Sequence, residues 1–377
     1  MDNEQKSKLK EVAQVFFRIG IYAFGGPAAH IAMMEEEIVK KRKWMDRQHF
    51  LDLVGATNLI PGPNSTEMTM HCGHERAGVA GLFVAGITFI FPAVVITAVM
   101  AWLYVTYGAL PAIAPFFIGI KPAVIALIVS SVYTLGKKAL KGWELGAIGS
   151  IALITSLAGI NEIIALLGAG LIGAFYFSIK NKQTITPVIA FPLFVLPTIS
   201  GTMAISTTKI FWTFLKVGSV LYGSGMVLFA YLDAELVSKG YLLQQQLIDA
   251  IAVGQFTPGP VLSTATFVGY QLGGFAGAMA ATIGIFLPSF LLVWLLNPLV
   301  PKMRKSKLMG YFLDSVNIAS MAVIAAIAIK MGIEVIVNWQ AIVVLGLGLF
   351  FTFGPKKLNA MWLVLGGSVI GYLLHLI

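Results

Sequence analysis

The sequence has few charged residues and almost no cysteine. Only 11% of its 377 residues are charged and 58% are hydrophobic, whereas about a quarter of a soluble domain is charged. The single cysteine, Cys72, excludes an internal disulfide. The sequence also lacks the GxxxxGK[ST] phosphate-binding loop and the HExxH zinc pair. These absences argue against a soluble domain, a self-contained ATP-driven pump and an intramembrane enzyme.

The formal net charge of +9 does not indicate nucleic-acid binding. The basic residues occur in short clusters between apolar runs and form no basic domain. In a membrane protein, such clusters orient the loops, because lysine and arginine in short loops favour the cytoplasmic side. We therefore expect a lipid bilayer as the surroundings and no nucleic-acid partner.

Long apolar runs occupy most of the chain, which has room for about ten spanning helices of roughly 20 residues each. In the first half, apolar runs predict helices near residues 78–105, 111–136, 143–159 and 161–179. In the second half, they predict helices near residues 273–299, 308–330, 334–353 and 358–376. The sequence thus predicts an all-α polytopic membrane protein.

The second half repeats the first. Glu35 and Glu37 match Asp233 and Glu235, and the order of the matches persists along the chain. Further matches pair Phe24, Gly25 and Gly26 with Tyr222, Gly223 and Ser224; Asp52 with Asp249; Pro61, Gly62 and Pro63 with Pro258, Gly259 and Pro260; and Pro92 with Pro288. This internal duplication predicts a repeat over residues 1–180, an apolar proline-rich linker over 181–207 and a second repeat over 208–377.

The basic loops follow spans of different rank in the two repeats. Basic residues follow the second span in the first repeat, at Lys137, Lys138 and Lys141, but the first span in the second repeat, around Lys305. If both loops are cytoplasmic, the repeats have inverted topology, the recurring plan of secondary transporters. The sequence leaves open whether residues 12–43 span the membrane or re-enter it at Gly25, Gly26 and Pro27.

Two Pro-Gly-Pro segments interrupt apolar stretches at equivalent positions. Proline removes a backbone donor and glycine admits unusual dihedrals, so a helix must stop there. The helix that restarts directs free N–H groups and a positive dipole end at the break, which suits an anion. The residues predicted to line such a site are Gly25, Gly26, Pro61, Gly62, Pro63, Asn64, Ser65 and Thr66, with Gly223, Ser224, Pro258, Gly259, Pro260 and Ser263 in the second repeat.

Ionisable residues inside apolar segments are functional candidates. Arg18 and Lys216 are equivalent and could bind an oxyanion, although a lysine or arginine near a helix end also reaches out to the membrane surface. Glu67, Lys121 and Asp314 are candidates for proton coupling, and Lys121 and Asp314 could instead form a pair. A cluster at His71, Cys72, His74 and Glu75 has no counterpart in the second repeat, so we predict no metal and no cofactor.

The segments FGGPAAH, from Phe24, and NLIPGPNSTE, from Asn58, resemble the chromate transporter family. The resemblance covers nearly the whole chain and includes Thr257–Pro260 in the second repeat. It implies a prokaryotic plasma-membrane antiporter that exports chromate in exchange for protons. The second repeat departs from the pattern, with Gly223, Ser224 and Gly225 in place of Gly25, Gly26 and Pro27. A transporter of sulfate or another inorganic anion and a passive anion channel remain open as alternative functions. A homodimer is possible.

Overall fold

The computed structural model describes the chain in ten stretches, and most of their residues are helical. They are residues 3–23, 27–57, 60–108, 114–160, 162–181, 205–222, 225–296, 307–354, 358 and 360–376. No strand occurs in these stretches. Within the described stretches, five helices are long and apolar enough to cross a membrane. The prediction of an all-α polytopic membrane protein is confirmed.

The first repeat contains seven helices among its described residues. They are α1 (Asn3–Tyr22), α2 (Pro27–Met34, continued by a π-helical turn over Glu35–Lys41), α3 (Arg47–Thr57), α4 (Asn64–Tyr107), α5 (Ala114–Ala139), α6 (Trp143–Leu157) and α7 (Glu162–Lys180).

The second repeat has the same order of helices. They are α8 (Thr207–Val220), α9 (Val227–Leu232, continued by a π-helical turn over Asp233–Val237), α10 (Gln244–Phe256), α11 (Thr264–Leu296), α12 (Lys307–Val335), α13 (Trp339–Phe353) and α14 (Ala360–His375). One boundary differs from the prediction, because Glu334 lies in the last turn of α12 and not at the start of the next helix.

The first two helices of each repeat form an antiparallel hairpin. In the first repeat, Arg42 binds Glu11 while His30 lies against the carbonyl of Ala23, so the chain runs back along α1. In the second repeat, Lys209 contacts Tyr241 while Tyr231 binds the carbonyl of Val220. Residues 12–43 therefore turn back at the break after α1 and return to the side where α1 begins.

The helices α4 and α11 are each bent back on themselves into two limbs. The bends are at Gly78, with φ 63°, and at Gly274, with φ 60°. Gly73 and Gly81 pack so closely across the first bend that a β-carbon added to Gly81 would lie 2.1 Å from the carbonyl oxygen of Gly73. We call residues 64–77 the short limb and residues 79–107 the long limb of α4. At 1.5 Å per residue the long limb measures roughly 43 Å, enough to cross a bilayer.

The last two helices of each repeat pack against the other repeat. Helix α5 contacts α13 and α14, and α12 contacts α6 and α7. The approach is close at glycines: a β-carbon added to Gly119 would lie 1.8 Å from the carbonyl oxygen of Gly367. These contacts join the two repeats into one helical body.

The equivalent helices α5 and α12 run in opposite directions. Lys141, just after α5, binds Asp314 in the second turn of α12, so the end of one helix lies beside the start of the other. Helix α13 follows α12 closely and runs parallel to α5, with Gly348 beside Ala126 and Phe353 beside Tyr133. The end of α12 therefore lies beside the start of α5.

Candidate functional site

The breaks of the two repeats bind each other reciprocally. The Gly62 N–H donates to the Leu221 carbonyl oxygen at 2.7 Å, and the Gly259 N–H donates to the Ala23 carbonyl oxygen at 2.8 Å. Leu221 and Ala23 occupy equivalent positions, directly after α8 and α1. Each Pro-Gly-Pro segment thus docks on the end of the first helix of the other repeat.

Glycine is required at the centre of both Pro-Gly-Pro segments. Gly62 has φ 146° and Gly259 has φ 91°, conformations that side chains disfavour. A β-carbon on Gly62 would lie 2.2 Å from Glu67 Oε1 and 2.3 Å from Ser289 Oγ, whereas one on Gly259 would lie 2.9 Å from Ala93 Cβ. The backbone at Gly62 therefore passes between two polar side chains.

A cavity of about 1150 Å³ reaches these breaks from one side of the molecule. Its inner end includes a residue next to or within each of the four breaks, namely Pro27, Asn64, Gly225 and Gly259. Its outer part is lined by the ends of α5 and α13 and the start of α12, including Lys138, Lys141 and Asp314.

The helices that restart after the breaks begin at the inner end of the cavity. Pro27 and Asn64 are the first residues of α2 and α4, and Val261 opens the helical turn that precedes α11. Helix N-termini carry unpaired N–H groups and a partial positive charge. The inner end of the cavity thus has the chemistry of an anion site.

The predicted site residues divide into those that line the cavity and those behind it. Asn64, Gly259 and Asp314 line it. Ser65, Thr66 and Ser263 are buried. Gly25, Gly26, Gly223 and Ser224 lie outside the described residues. Binding of an anion by these residues stays a prediction.

Glu67 is fully buried one turn into the short limb of α4. Neither of its carboxylate oxygens has a hydrogen-bond partner among the described residues, and the same holds for the hydroxyl of Ser289. The two side chains flank Gly62 from opposite repeats. A buried carboxylate without a cation or donor is costly in its charged form.

Arg18 and Lys216 form equivalent ion pairs. Arg18 binds Glu37, and Lys216 Nζ lies 2.7 Å from Glu235 Oε1. Each pair joins the two arms of a hairpin, and neither cation lines the cavity. Binding of the anion by these cations is not tested by this geometry and stays a prediction.

Lys121 and Asp314 do not pair with each other. They sit near the starts of α5 and α12, and because these helices run in opposite directions, the two residues lie near opposite ends of the helical body. Lys121 Nζ lies 3.4 Å from Asp249 Oδ1, whereas Asp314 Oδ1 lies 2.6 Å from Lys141 Nζ.

Asp249 is a buried residue that sequence reasoning did not select. Tyr104 donates to its Oδ2 at 2.6 Å, so Asp249 of α10 binds two residues of the first repeat. The match between Asp52 and Asp249 was the available signal, since a charge retained in both copies of an apolar repeat needs an explanation.

A helical membrane protein with two repeats, broken helices and a cavity ending at the breaks has the architecture of secondary transporters. The family model described as "Chromate transporter" matches residues 10–174 and 208–372. The chain belongs to the chromate transporter family, a family of membrane transporters. No solved structure matches the chain.

Curated relatives match most of the chain. A "Probable chromate transport protein" of Synechococcus elongatus is 30% identical, over 86% of this chain and 84% of its own length. "Chromate transport protein" of Cupriavidus metallidurans is 29% identical, over 96% and 92%. "Chromate transport protein" of Pseudomonas aeruginosa is 28% identical, over 95% and 90%.

Proposed function

We propose that this chain exports chromate across a prokaryotic plasma membrane in exchange for protons. The observation that carries the proposal is the cavity whose inner end is formed by the starts of broken helices from both repeats. Chromate is a divalent oxyanion, and backbone N–H groups at helix N-termini are suited to bind its oxygens. The family and the relatives support chromate as the substrate.

Proton coupling is assigned to Glu67 in this proposal. Burial without a partner favours the neutral, protonated form of this side chain in the present conformation. In this scheme Glu67 takes up a proton when the site opens to the far side and carries it into the present conformation. The proton is released to the side on which the cavity opens when chromate binds at the breaks. The position of Glu67 beside Gly62 and Ser289 couples this proton to the segment that docks the two repeats together.

The proposal includes inverted topology, supported by the opposite directions of α5 and α12. The hairpin of α1 and α2 brings Lys6–Lys10 and Lys40–Lys43 to the same side of the molecule, so both basic clusters can face the cytoplasm. The long limb of α4 crosses to the far side and α5 returns, so Lys138 and Lys141 lie on that same basic side. By the preference of basic loops, this side is cytoplasmic and the cavity opens to the cytoplasm.

The topology is tested at Lys41 and Lys239, which occupy equivalent places in the two repeats. Each is replaced by cysteine in a Cys72→Ser background and treated with an impermeant thiol reagent in intact cells. We expect Lys239→Cys to react and Lys41→Cys to react only after permeabilisation. Reaction of both positions from the same side would exclude the inverted arrangement. The loop of Lys305, also predicted to be cytoplasmic, lies outside the described residues.

Lys121, Tyr104 and Asp249 close the site on the side away from the cavity in this proposal. None of the three residues lines the cavity. They link α4 and α5 of the first repeat to α10, the helix that leads into the break at Pro258, Gly259 and Pro260. Separating this buried pair would let α10 move and open the far side. Breaking a buried ion pair by removing one partner costs about 3–5 kcal/mol.

Removing this closure should expose the inner end of the cavity to the outside. Asn64→Cys serves as the reporter, with an impermeant reagent added outside intact cells. We expect Asp249→Asn to raise the labelling rate at least about tenfold, since 1.4 kcal/mol already gives a tenfold change in population. Lys141→Gln, which breaks the ion pair on the cavity side, is the matched control and should leave outside labelling unchanged. Equal labelling rates of Asn64→Cys with and without Asp249→Asn would contradict the closure.

The function itself is tested by transport of labelled chromate into proteoliposomes, with and without an imposed pH gradient. We expect saturable chromate transport that responds to the gradient and is inhibited by sulfate. A passive channel would give flux that ignores the pH gradient. Transport of sulfate without transport of chromate would show that the substrate is sulfate, and would leave the proposed exchange with protons in place.

A further inference from the structure

We infer that one face of α5 is the path by which the anion reaches the breaks, and that Lys138 supplies the unbalanced positive charge of that path. The inference rests on the proposed function and adds residues that determine how the anion is loaded.

The cavity-facing residues of α5 recur at helical spacing. Leu127, the adjacent pair Ser130 and Ser131, Thr134 and Lys138 all line the cavity, and the steps from Leu127 to the serine pair, to Thr134 and to Lys138 are three or four residues, which keeps them on one face. Ser130 and Ser131 are partly exposed and Thr134 is exposed. Hydroxyls can donate to an oxyanion that has left part of its water shell.

The charges that line the cavity do not balance. Lys141 is paired with Asp314 at 2.6 Å. Lys138 also lines the cavity, and it forms no ion pair or hydrogen bond in the part of the chain that the structure describes. One positive charge thus faces the cavity without a counter-charge among those residues. A cleft lined by one sign of charge concentrates ions of the other sign.

Lys138 differs in this respect from the other candidate cations. Arg18 and Lys216 bind Glu37 and Glu235 and do not line the cavity. A divalent anion that loses water needs a compensating cation. Lys138, at the outer part of the path, is the cation that can act on the anion as it enters.

The chain offers a matched control one residue away. Lys137 is also exposed on α5 but does not line the cavity. Lys138→Gln and Lys137→Gln remove the same charge from the same side of the membrane. We expect Lys138→Gln to raise the KM for chromate about three- to tenfold with the maximal rate retained, and Lys137→Gln to leave both unchanged. Added salt should reduce the difference between Lys138→Gln and the unmodified protein, because salt screens an exposed charge.

A second measurement does not depend on transport. Ser131→Cys, in the Cys72→Ser background, is labelled in the purified protein with anionic and cationic thiol reagents of similar size. We expect the anionic reagent to react faster, and Lys138→Gln but not Lys137→Gln to abolish this preference.

The two measurements separate the inference from the proposed function. If the unmodified protein moves no chromate but the anionic preference at Ser131→Cys depends on Lys138, the proposed function fails and the path stands. Equal effects of Lys138→Gln and Lys137→Gln, or a labelling rate that ignores the reagent's charge, would overturn the path.

Discussion

Gly62→Ala is expected to reduce chromate transport at least tenfold while the protein still inserts and folds. The added β-carbon would lie 2.2 Å from Glu67 Oε1 and 2.3 Å from Ser289 Oγ, at a backbone angle that L residues rarely adopt. Backbone strain costs about 1–3 kcal/mol, and overpacking adds about 1–3 kcal/mol. The Pro-Gly-Pro segment must then shift, and the bond from Gly62 to Leu221 breaks.

Two further glycines calibrate this result. Gly259→Ala should impair transport less than Gly62→Ala, because its nearest neighbour would be a methyl group at 2.9 Å. Gly168→Ala in α7 has no atom within 4 Å of the new carbon and should retain full transport. The measurement is the initial rate of chromate transport in proteoliposomes at equal protein content, with thermal unfolding as the check on folding. Full activity of Gly62→Ala would show that the break tolerates a side chain and does not need its observed geometry.

The helices and the repeat were predictable from sequence because both depend on local patterns. A run such as residues 78–105 must span or be buried, whatever surrounds it, and the repeated Pro-Gly-Pro must interrupt a helix in both copies. The bend at Gly78 was not predicted. Glycine in an apolar run is common in membrane helices, so the sequence alone did not distinguish a bend from close packing.

The packing between repeats could not be predicted in the same way. The apolar surface of α5 does not specify whether α6 and α7 or α13 and α14 will cover it, since lipid and every helix offer the same apolar contact. The ion pairs follow from that packing. Lys121 was considered as a partner for Asp314, but the opposite directions of α5 and α12 place it beside Asp249.

The sequence predicted which segments form the candidate site, but not how its charged residues pair or which of them line the cavity. The equivalent cations Arg18 and Lys216 stood out because charges in apolar segments are rare, yet their carboxylate partners lie nineteen residues further along, where only the hairpin brings them close. Lys138 was read as a signal of topology. Its position in the cavity depends on α13 and α12, which meet α5 only in the folded chain.

Glu67→Gln is expected to abolish the response of chromate transport to a pH gradient while exchange of chromate for chromate continues. The amide keeps the size of the side chain but cannot carry a proton between the two sides. For each coupled proton, one pH unit corresponds to about 1.4 kcal/mol and so to about a tenfold change in accumulation. The unmodified protein should show this dependence, and Glu67→Gln should show none.

The same substitution should leave the stability of the protein unchanged or slightly higher. The Glu67 oxygens have no hydrogen-bond partner among the described residues, so no bond is lost on replacement. Glu75→Gln provides the control on the same short limb, because Glu75 Oε2 lies 3.3 Å from His49 Nε2 and is partly exposed. It should retain the pH response. If Glu67→Gln follows the pH gradient as the unmodified protein does, the coupling proton is carried elsewhere; if exchange also stops, Glu67 is needed for movement of the anion itself.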